Sequence, residues 1–275
     1  MLNESRIWQH LAYRQQIRLD VFDVLDSTNR YLQEQVHQGA PDWTVAIADQ
    51  QTAGQGRQQR SWESPPVVGL WFSILRRRPM MAQKVHLMNI FVAVTLARSL
   101  EEWVFRQERI PIQVQLKWPN DLWLTHRKMG GILIQGSFTG GEQDFLVLGI
   151  GLNINQQETD FSAEIRDTAI SLRMATGVYW EREPLFAHLL NELYREFQGW
   201  DNLEPSALIA GYWDRLLFKN QEVYLRLQNE AFQARIVGIT NDGLLVVQRP
   251  GKGEMVIASG EIVHLRGGTA HATGH

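Results

Sequence analysis

The sequence predicts an α+β protein, a mainly antiparallel mixed sheet with helices packed on it, joined to a small all-β appendage. Three observations carry this. Strand-like runs alternate with helical periodicity at the start, the middle is a succession of β-branched and aromatic runs, and residues 220–266 alternate as short strands. With 275 residues, 44% of them hydrophobic, the chain suffices for one large domain and a small partner. Residues 1–215 are expected to form the larger domain and 216–266 the smaller. The closing GGTAHATGH has no apolar periodicity, so 267–275 are expected to be a disordered tail.

The elements follow in order. Val21–Leu25 and Trp43–Ala48 read as strands around a helix, STNRYLQEQVHQG, capped by Ser27 and ended by Gly39. Gly69–Arg76 is a further strand. From Lys84 to Gln107 the spacing of Val85, Met88, Val92, Leu96 and Leu100 predicts a helix with one core-facing stripe. VQLKWP, DLWLTH, KMGGILIQGSF and Asp144–Asn155 are then expected to pair consecutively as antiparallel strands. Helical spacing returns from Glu181 to Trp213, on Leu185, Leu189, Leu193 and Phe197. In the appendage, Asn241-Asp242-Gly243 and Pro250-Gly251 punctuate the strands as turns.

Composition excludes several classes of function. There is no cysteine, hence no disulfide, thiolate zinc site or cysteine nucleophile, which fits a reducing cytoplasm. A net charge of −3 supplies no overall attraction to nucleic acid or anionic lipid, so no DNA partner is expected. The N-terminal residues contain no signal peptide or membrane span, and the chain reads as cytosolic. His271 and His275 are too few to define a metal site.

Chemistry concentrates in four stretches. In QTAGQGRQQRSW (Gln51–Trp62), Gly54 and Gly56 let backbone approach a ligand, and Arg57 and Arg60 put guanidinium groups on the same loop, a combination suited to phosphate or carboxylate. In KWPND, Pro119 ends a strand and presents Asn120 and Asp121 at a turn. Asp121 can hold Mg²⁺ on a nucleotide, since that ion often takes one or two carboxylates plus phosphate oxygens; ordinary turn chemistry is the alternative. Lys128 precedes Gly130-Gly131 and offers a point charge beside bare backbone, where the alternative is a solvated strand-edge lysine. Asp26-Ser27-Thr28-Asn29 reads as a helix cap whose N–H groups and hydroxyls can also bind a polar ligand.

These motifs, DSTN, QTAGQGR, RSW, KWPND, KMGGIL and GIGLNIN (Gly149–Asn155), resemble those of the biotin protein ligases in order and spacing, over roughly Val21–Arg266. The resemblance implies a class II synthetase-like ligase domain, a C-terminal β-barrel of the Src-homology-three type, and two-step acyl transfer. Biotin and ATP would give biotinyl-5′-AMP, from which biotin passes to a lysine of a biotin carboxyl carrier domain of acetyl-CoA carboxylase or a related carboxylase. By the same resemblance, Ser27, Thr28, Asn29 and Gln51 would meet the ureido ring, and Gly54, Gln55, Gly56 and Arg57 would close over the valeryl chain and adenylate. Trp71 would wall the pocket and Gly131 would allow close approach. Lys128 and Arg57 would be catalytic; Arg60, Trp62, Asn120 and Asn153 would join them around the nucleotide, and Asp121 would bind Mg²⁺. Residues 156–172 would form a mobile cover.

The family loop usually reads GRGR with a glycine two residues later. Here Gln55 replaces the first arginine and Gln59 the glycine, so one guanidinium is lost. About twenty-five residues precede the first motif, too few for the DNA-binding domain of bifunctional members, so a monofunctional ligase is expected, as monomer or homodimer. Two alternatives stand beside this reading. One is a lipoate ligase or octanoyl transferase on the same scaffold. The other is a non-enzymatic RNA- or protein-binding module using Arg57, Arg60 and Arg76–Arg78 as a basic patch, although Arg76–Arg78 reads better as a solvated strand end.

Overall fold

A computed structural model describes residues 1–77, 81–139 and 142–263. The expected tail, with His271 and His275, lies outside the described residues, as does Arg78. A seven-stranded mixed sheet forms the larger layer, in the order β1-β2-β3-β7-β6-β5-β4. Its strands are β1 (Arg18–Leu25), β2 (Thr44–Gln51), β3 (Gly69–Arg76), β4 (Gln115–Lys117), β5 (Asp121–Leu124), β6 (Arg127–Thr139) and β7 (Glu142–Asn153). Only β1 and β2 pair in parallel, because α2 (Thr28–His37) carries the chain back between them. The other pairs are antiparallel.

Local chemistry explains the punctuation. Ser27 caps α2 by accepting from the Arg30 N–H, and Gly39 follows the helix at φ 78°. Thr125 and His126, both at positive φ, make the tight turn between β5 and β6. Gly243 and Gly251 take the left-handed conformations expected of the appendage turns.

Helices cover both faces of the sheet. On one face lie α3 (Val85–Glu108) and α5 (Arg182–Phe197), which meet each other and the large core. On the other, α2 covers a small cluster of Leu32, Ala40, Ala46, Leu75 and Val147. Two expectations change here. Helix α3 has no single buried stripe: Leu87, Ile90, Phe91, Ala93 and Val94 are buried along with Met88, Val92, Leu96 and Leu100, because sheet, α5 and α6 (Pro205–Arg215) surround it. The stretch from Glu181 to Trp213 is two helices, α5 and α6, divided at Gly199 and restarted by Pro205 at the first helical position.

The first residues, unassigned from sequence, form α1 (Glu4–His10), which packs on α5 and buries Ile7. A short α4 (Leu172–Thr176) follows β7. The all-β appendage is a five-stranded antiparallel sheet, β11-β10-β9-β8-β12, made of β8 (Glu222–Arg226), β9 (Ala231–Ile239), β10 (Leu245–Arg249), β11 (Gly253–Ile257) and β12 (Glu261–Val263). It joins the large sheet through Leu217 N–H to the Leu116 carbonyl (2.8 Å) and Trp118 Nε1–H to the Gly243 carbonyl (3.3 Å).

Arg76 is not a solvated strand end. It is buried, stacked on Trp43 and Phe197, and paired with Asp42 at 3.0 Å. Arg77 donates to the Val36 and Ala40 carbonyls. These two arginines pin the end of β3 to the α2–β2 connection and form no RNA-binding patch. Among the described residues no helix is long and apolar enough to cross a membrane.

Candidate active site

A cavity of about 480 Å³ opens on the α2 face of the sheet, between the start of α2, the 51–65 loop, residues 156–169 and the tip of β12. Glycines make the room. A Cβ on Gly149 would lie 2.2 Å from Asn29 Oδ1, and one on Gly151 2.6 Å from Trp62 Nε1. Successive small residues on one face of β7 thus let α2 and Trp62 sit directly on backbone. In the Gly130-Gly131 pair the roles divide. Gly130 packs against Leu152, whereas Gly131 lines the cavity with ordinary contacts to Trp62, Lys128 and Asp121.

The floor is neutral and polar. Thr28 N–H donates to Gln51 Oε1 at 2.9 Å, Gln51 Nε2 donates to Ser64 Oγ at 3.0 Å, and Thr28 Oγ1 lies 2.7 Å from Ser73 Oγ. Ser73 donates to Asn29 Oδ1, and Asn29 Nδ2 donates to Gln135 Oε1 and the Leu133 carbonyl. The amide of Asn29 is therefore engaged by protein on both ends. Ser27, Thr28, Asn29 and Gln51 all line the cavity.

The rim is charged. Lys128 Nζ is 2.8 Å from Asp121 Oδ1 and 5.2 Å from the centre of the Trp62 ring. Its backbone is held on both sides, Lys128 N–H to the Thr168 carbonyl (2.7 Å) and Ile170 N–H to the Lys128 carbonyl (2.9 Å). Arg57 is half-buried. Desolvation pulls its pKa down, against the attraction of Asp121 and Glu261, and its guanidinium reaches the Gly260 carbonyl at 3.4 Å. Arg60 grips Glu261 with two bonds, 3.0 and 2.7 Å, which hold that carboxyl below the usual range. Gln55, Gly56, Trp62, Asn120, Asp121 and Asn153 also face the cavity. Asn120 donates to the Ile132 carbonyl at 2.7 Å, so it braces β6 as well.

Two assignments are corrected. Trp71 is fully buried and does not line the cavity; it donates to the Pro65 carbonyl and meets Trp62 edge-on at 6.4 Å, so Trp62 is the wall and Trp71 its support. Gly54 is also absent from the lining. Its Cβ position is 2.6 Å from the Trp62 carbonyl, so that glycine serves the loop's own closure. Gln58 and Gln59 stand at φ 56° and 60°, a conformation that suits glycine better, and Gln55 meets the cavity with a neutral amide.

Residues 156–172, the expected cover, lie against the site. They include a 3₁₀ turn at Glu158–Asp160, bury Phe161, Ala169, Ile170 and Leu172, and pair with Lys128 through Ala169. Phe161 and Ile165 line the cavity. Two further charged groups were not singled out. Lys117 lines the cavity and is largely buried, its pKa lowered by desolvation; it lay inside KWPND, so its motif pointed to it. Glu261, two hundred residues from Arg60, had no local signal. Among the described residues no cluster of three or more histidines or carboxylates could hold a metal.

Cationic rim and polar floor in one cleft suit the joining of a carboxylic acid to a nucleotide, which marks the class as an acid-activating ligase. Residues 21–153 match the Biotin/lipoate A/B protein ligase family and residues 219–265 the Biotin protein ligase C terminal domain. The chain is 32% identical to the Bifunctional ligase/repressor BirA of Bacillus subtilis, over 87% of this chain and 70% of the relative. It is 30% identical to the Biotin–[acetyl-CoA-carboxylase] ligase of Mycobacterium tuberculosis, over 90% of each. The structure of the biotin protein ligase from Aquifex aeolicus in complex with biotin and ATP superposes with a TM-score of 0.73 at 28% identity, covering 90% of this chain and 97% of that one. The chain belongs to the biotin protein ligase family.

Proposed function

We propose that the chain is an ATP-dependent biotin ligase, which activates biotin as biotinyl-5′-AMP and transfers it to a lysine of a biotin carboxyl carrier domain of acetyl-CoA carboxylase or a related carboxylase. The observation that carries this is the meeting, in one cavity, of the neutral Thr28–Gln51 floor with the cations Arg57, Lys117 and Lys128. A bicyclic urea suits the floor. An octanoyl chain or a dithiolane would leave the second Gln51 Nε2 hydrogen and the Thr28 hydroxyl lone pairs without a partner, a cost in a partly buried site.

In the first step a biotin carboxylate oxygen attacks the α-phosphorus of ATP, and the bond to the β-phosphate oxygen breaks to release pyrophosphate. Both reactants are anions. We assign their neutralisation to Arg57 and Lys128, with Lys117 beside the departing phosphates, since fixed cations in a partly desolvated site need no reorganisation as charge moves. Asn153, Asn120 and Trp62 are assigned to the nucleotide, with Arg60 placed to hold the loop. Asp121, beside Lys128, is the carboxylate assigned to the ion; with no metal-holding group of three among the described residues, this fits Mg²⁺ carried on nucleotide phosphates and not an all-protein cage. The ion would add positive charge there. In the second step the lysine amine attacks the acyl carbon, AMP leaves, and the amine loses a proton. Phe161 and Ile165 are placed to keep water from the mixed anhydride.

We assign this chemistry to residues 1–215, with the C-terminal unit from residue 216 completing the cleft through Gly260 and Glu261. The absence of cysteine supports a cytoplasmic setting. The test is acid-dependent exchange of pyrophosphate into ATP. Exchange with biotin supports the reading; exchange with lipoate or octanoate alone moves the activity to the sister enzymes, and exchange with none removes it.

A further inference from the structure

We infer that Ser73, which does not line the cavity, is a positioning residue that sets the polarity of biotin recognition by holding the Thr28 hydroxyl as an acceptor. The inference rests on the biotin reading above and concerns a residue outside its list.

Hydrogen counting carries it. Asn29 Nδ2 faces the Leu133 carbonyl at 3.3 Å, and a carbonyl only accepts, so the amide atom near Ser73 is the oxygen. Ser73 Oγ is 2.5 Å from that oxygen, and its one hydroxyl hydrogen is committed there. Thr28 Oγ1 is 2.7 Å from Ser73 Oγ, so the hydrogen between the two must come from Thr28. Having given it, Thr28 cannot also serve Gln51 Oε1 at 3.1 Å; the Thr28 backbone N–H serves that oxygen at 2.9 Å. Every orientation in the chain is thus set by a backbone group.

Thr28, which lines the cavity, is left with lone pairs to offer. Gln51 Nε2 has two hydrogens, of which one goes to Ser64 Oγ. An acceptor beside a donor matches the edge of a cyclic urea, where an N–H adjoins a C=O. Ser73 is wholly buried on β3, behind the floor, so it acts through Thr28 and not by contact. With Ser73→Ala the Thr28 hydrogen is released and is shared between Gln51 Oε1, 3.1 Å away, and the ligand, so the hydroxyl is no longer held as an acceptor alone.

The experiment is pyrophosphate exchange with biotin, and with biotin methylated on a ureido nitrogen, for wild type, Ser73→Ala, Ser73→Thr, Thr28→Val and the Ser73→Ala/Thr28→Val double variant. Ser73→Ala is expected to raise KM for biotin about ten-fold, the range of one misdirected buried hydrogen bond, with kcat and KM for ATP within two-fold, roughly. Discrimination against the methylated acid should shrink, Ser73→Thr should restore it, and in the Thr28→Val background Ser73→Ala should add nothing. Equal loss for both acids, or an undiminished Ser73→Ala effect on top of Thr28→Val, would overturn the inference and leave Ser73 as packing. Wild type inactive with biotin would remove the ligase reading itself, a different failure seen before any variant is compared.

Discussion

At the floor of the cleft Thr28, Ser73, Asn29 and Gln51 bond one another, whereas at the rim Arg57, Lys117 and Lys128 crowd together, with Asp121 and Glu261 as counter-charges. The floor stands on a helix N-terminus and strands, and is neutral. The rim is carried by a loop and strand ends, and burial works against its charges, lowering the pKa of both Arg57 and Lys117. The difference teaches how labour divides in the site. A preorganised neutral network can select a ligand by unpaired donors and acceptors. A partly desolvated cluster of cations is relieved by anions, and most by the charge of a reacting phosphate.

The largest effect is expected at the support of the strand that carries Gln51. Asp49, two residues before Gln51, forms a fully buried pair with Arg182 at 2.7 Å, and Arg182 also donates to the Gly69 carbonyl. Arg182→Ala leaves that carboxylate with the exposed Met1 ammonium at 4.0 Å as its remaining cation and should cost about 3 kcal/mol of stability, read as a loss in denaturant midpoint. A neutral result would show that the floor does not depend on this ion pair.

Next comes the rim. Lys128→Ala should lower kcat for biotin-dependent pyrophosphate exchange by about 10²–10³-fold, as expected for removal of a group that follows developing charge, with a small change in KM for biotin. At the floor the split should invert. Gln51→Leu should raise KM for biotin by about 1–3 kcal/mol of lost recognition while sparing kcat. If both variants changed the same kinetic constant, the division between floor and rim would fail.

The smallest effect concerns the join to the C-terminal sheet. Glu261→Gln weakens the Arg60 pair, and because Arg60 is half exposed the loss should be below about 1 kcal/mol. Its sign with pH is definite. Arg60 depresses the Glu261 pKa in the folded state, so the stabilisation is present above the ordinary carboxylate range and is lost as pH falls through the folded-state value. Melting curves of wild type and Glu261→Gln should differ at neutral pH and converge in acid.

Most of the fold was legible because its signals are local. Ser27 and Gly39 bound α2, and β3 spans the predicted residues Gly69–Arg76. The long α3 misled through its periodicity, since a helix enclosed on most sides has no polar face to mark. Trp71 and Trp62 show a limit of a different kind. Both are aromatic neighbours of the loop, and only packing assigns one to the wall and the other to the layer behind it.

By itself the sequence determined most of the elements and the motif residues that carry the family resemblance, because turns, caps, periodicity and short motifs act within a few residues of one another. Tertiary structure decided that Arg76 is buried and Arg57 half-buried, that Glu261 meets Arg60 across two hundred residues, and that Ser73 stands behind Thr28. The physical reason is that burial and hydrogen-bond direction depend on groups brought together only when the sheet closes; no local pattern along the chain carries them.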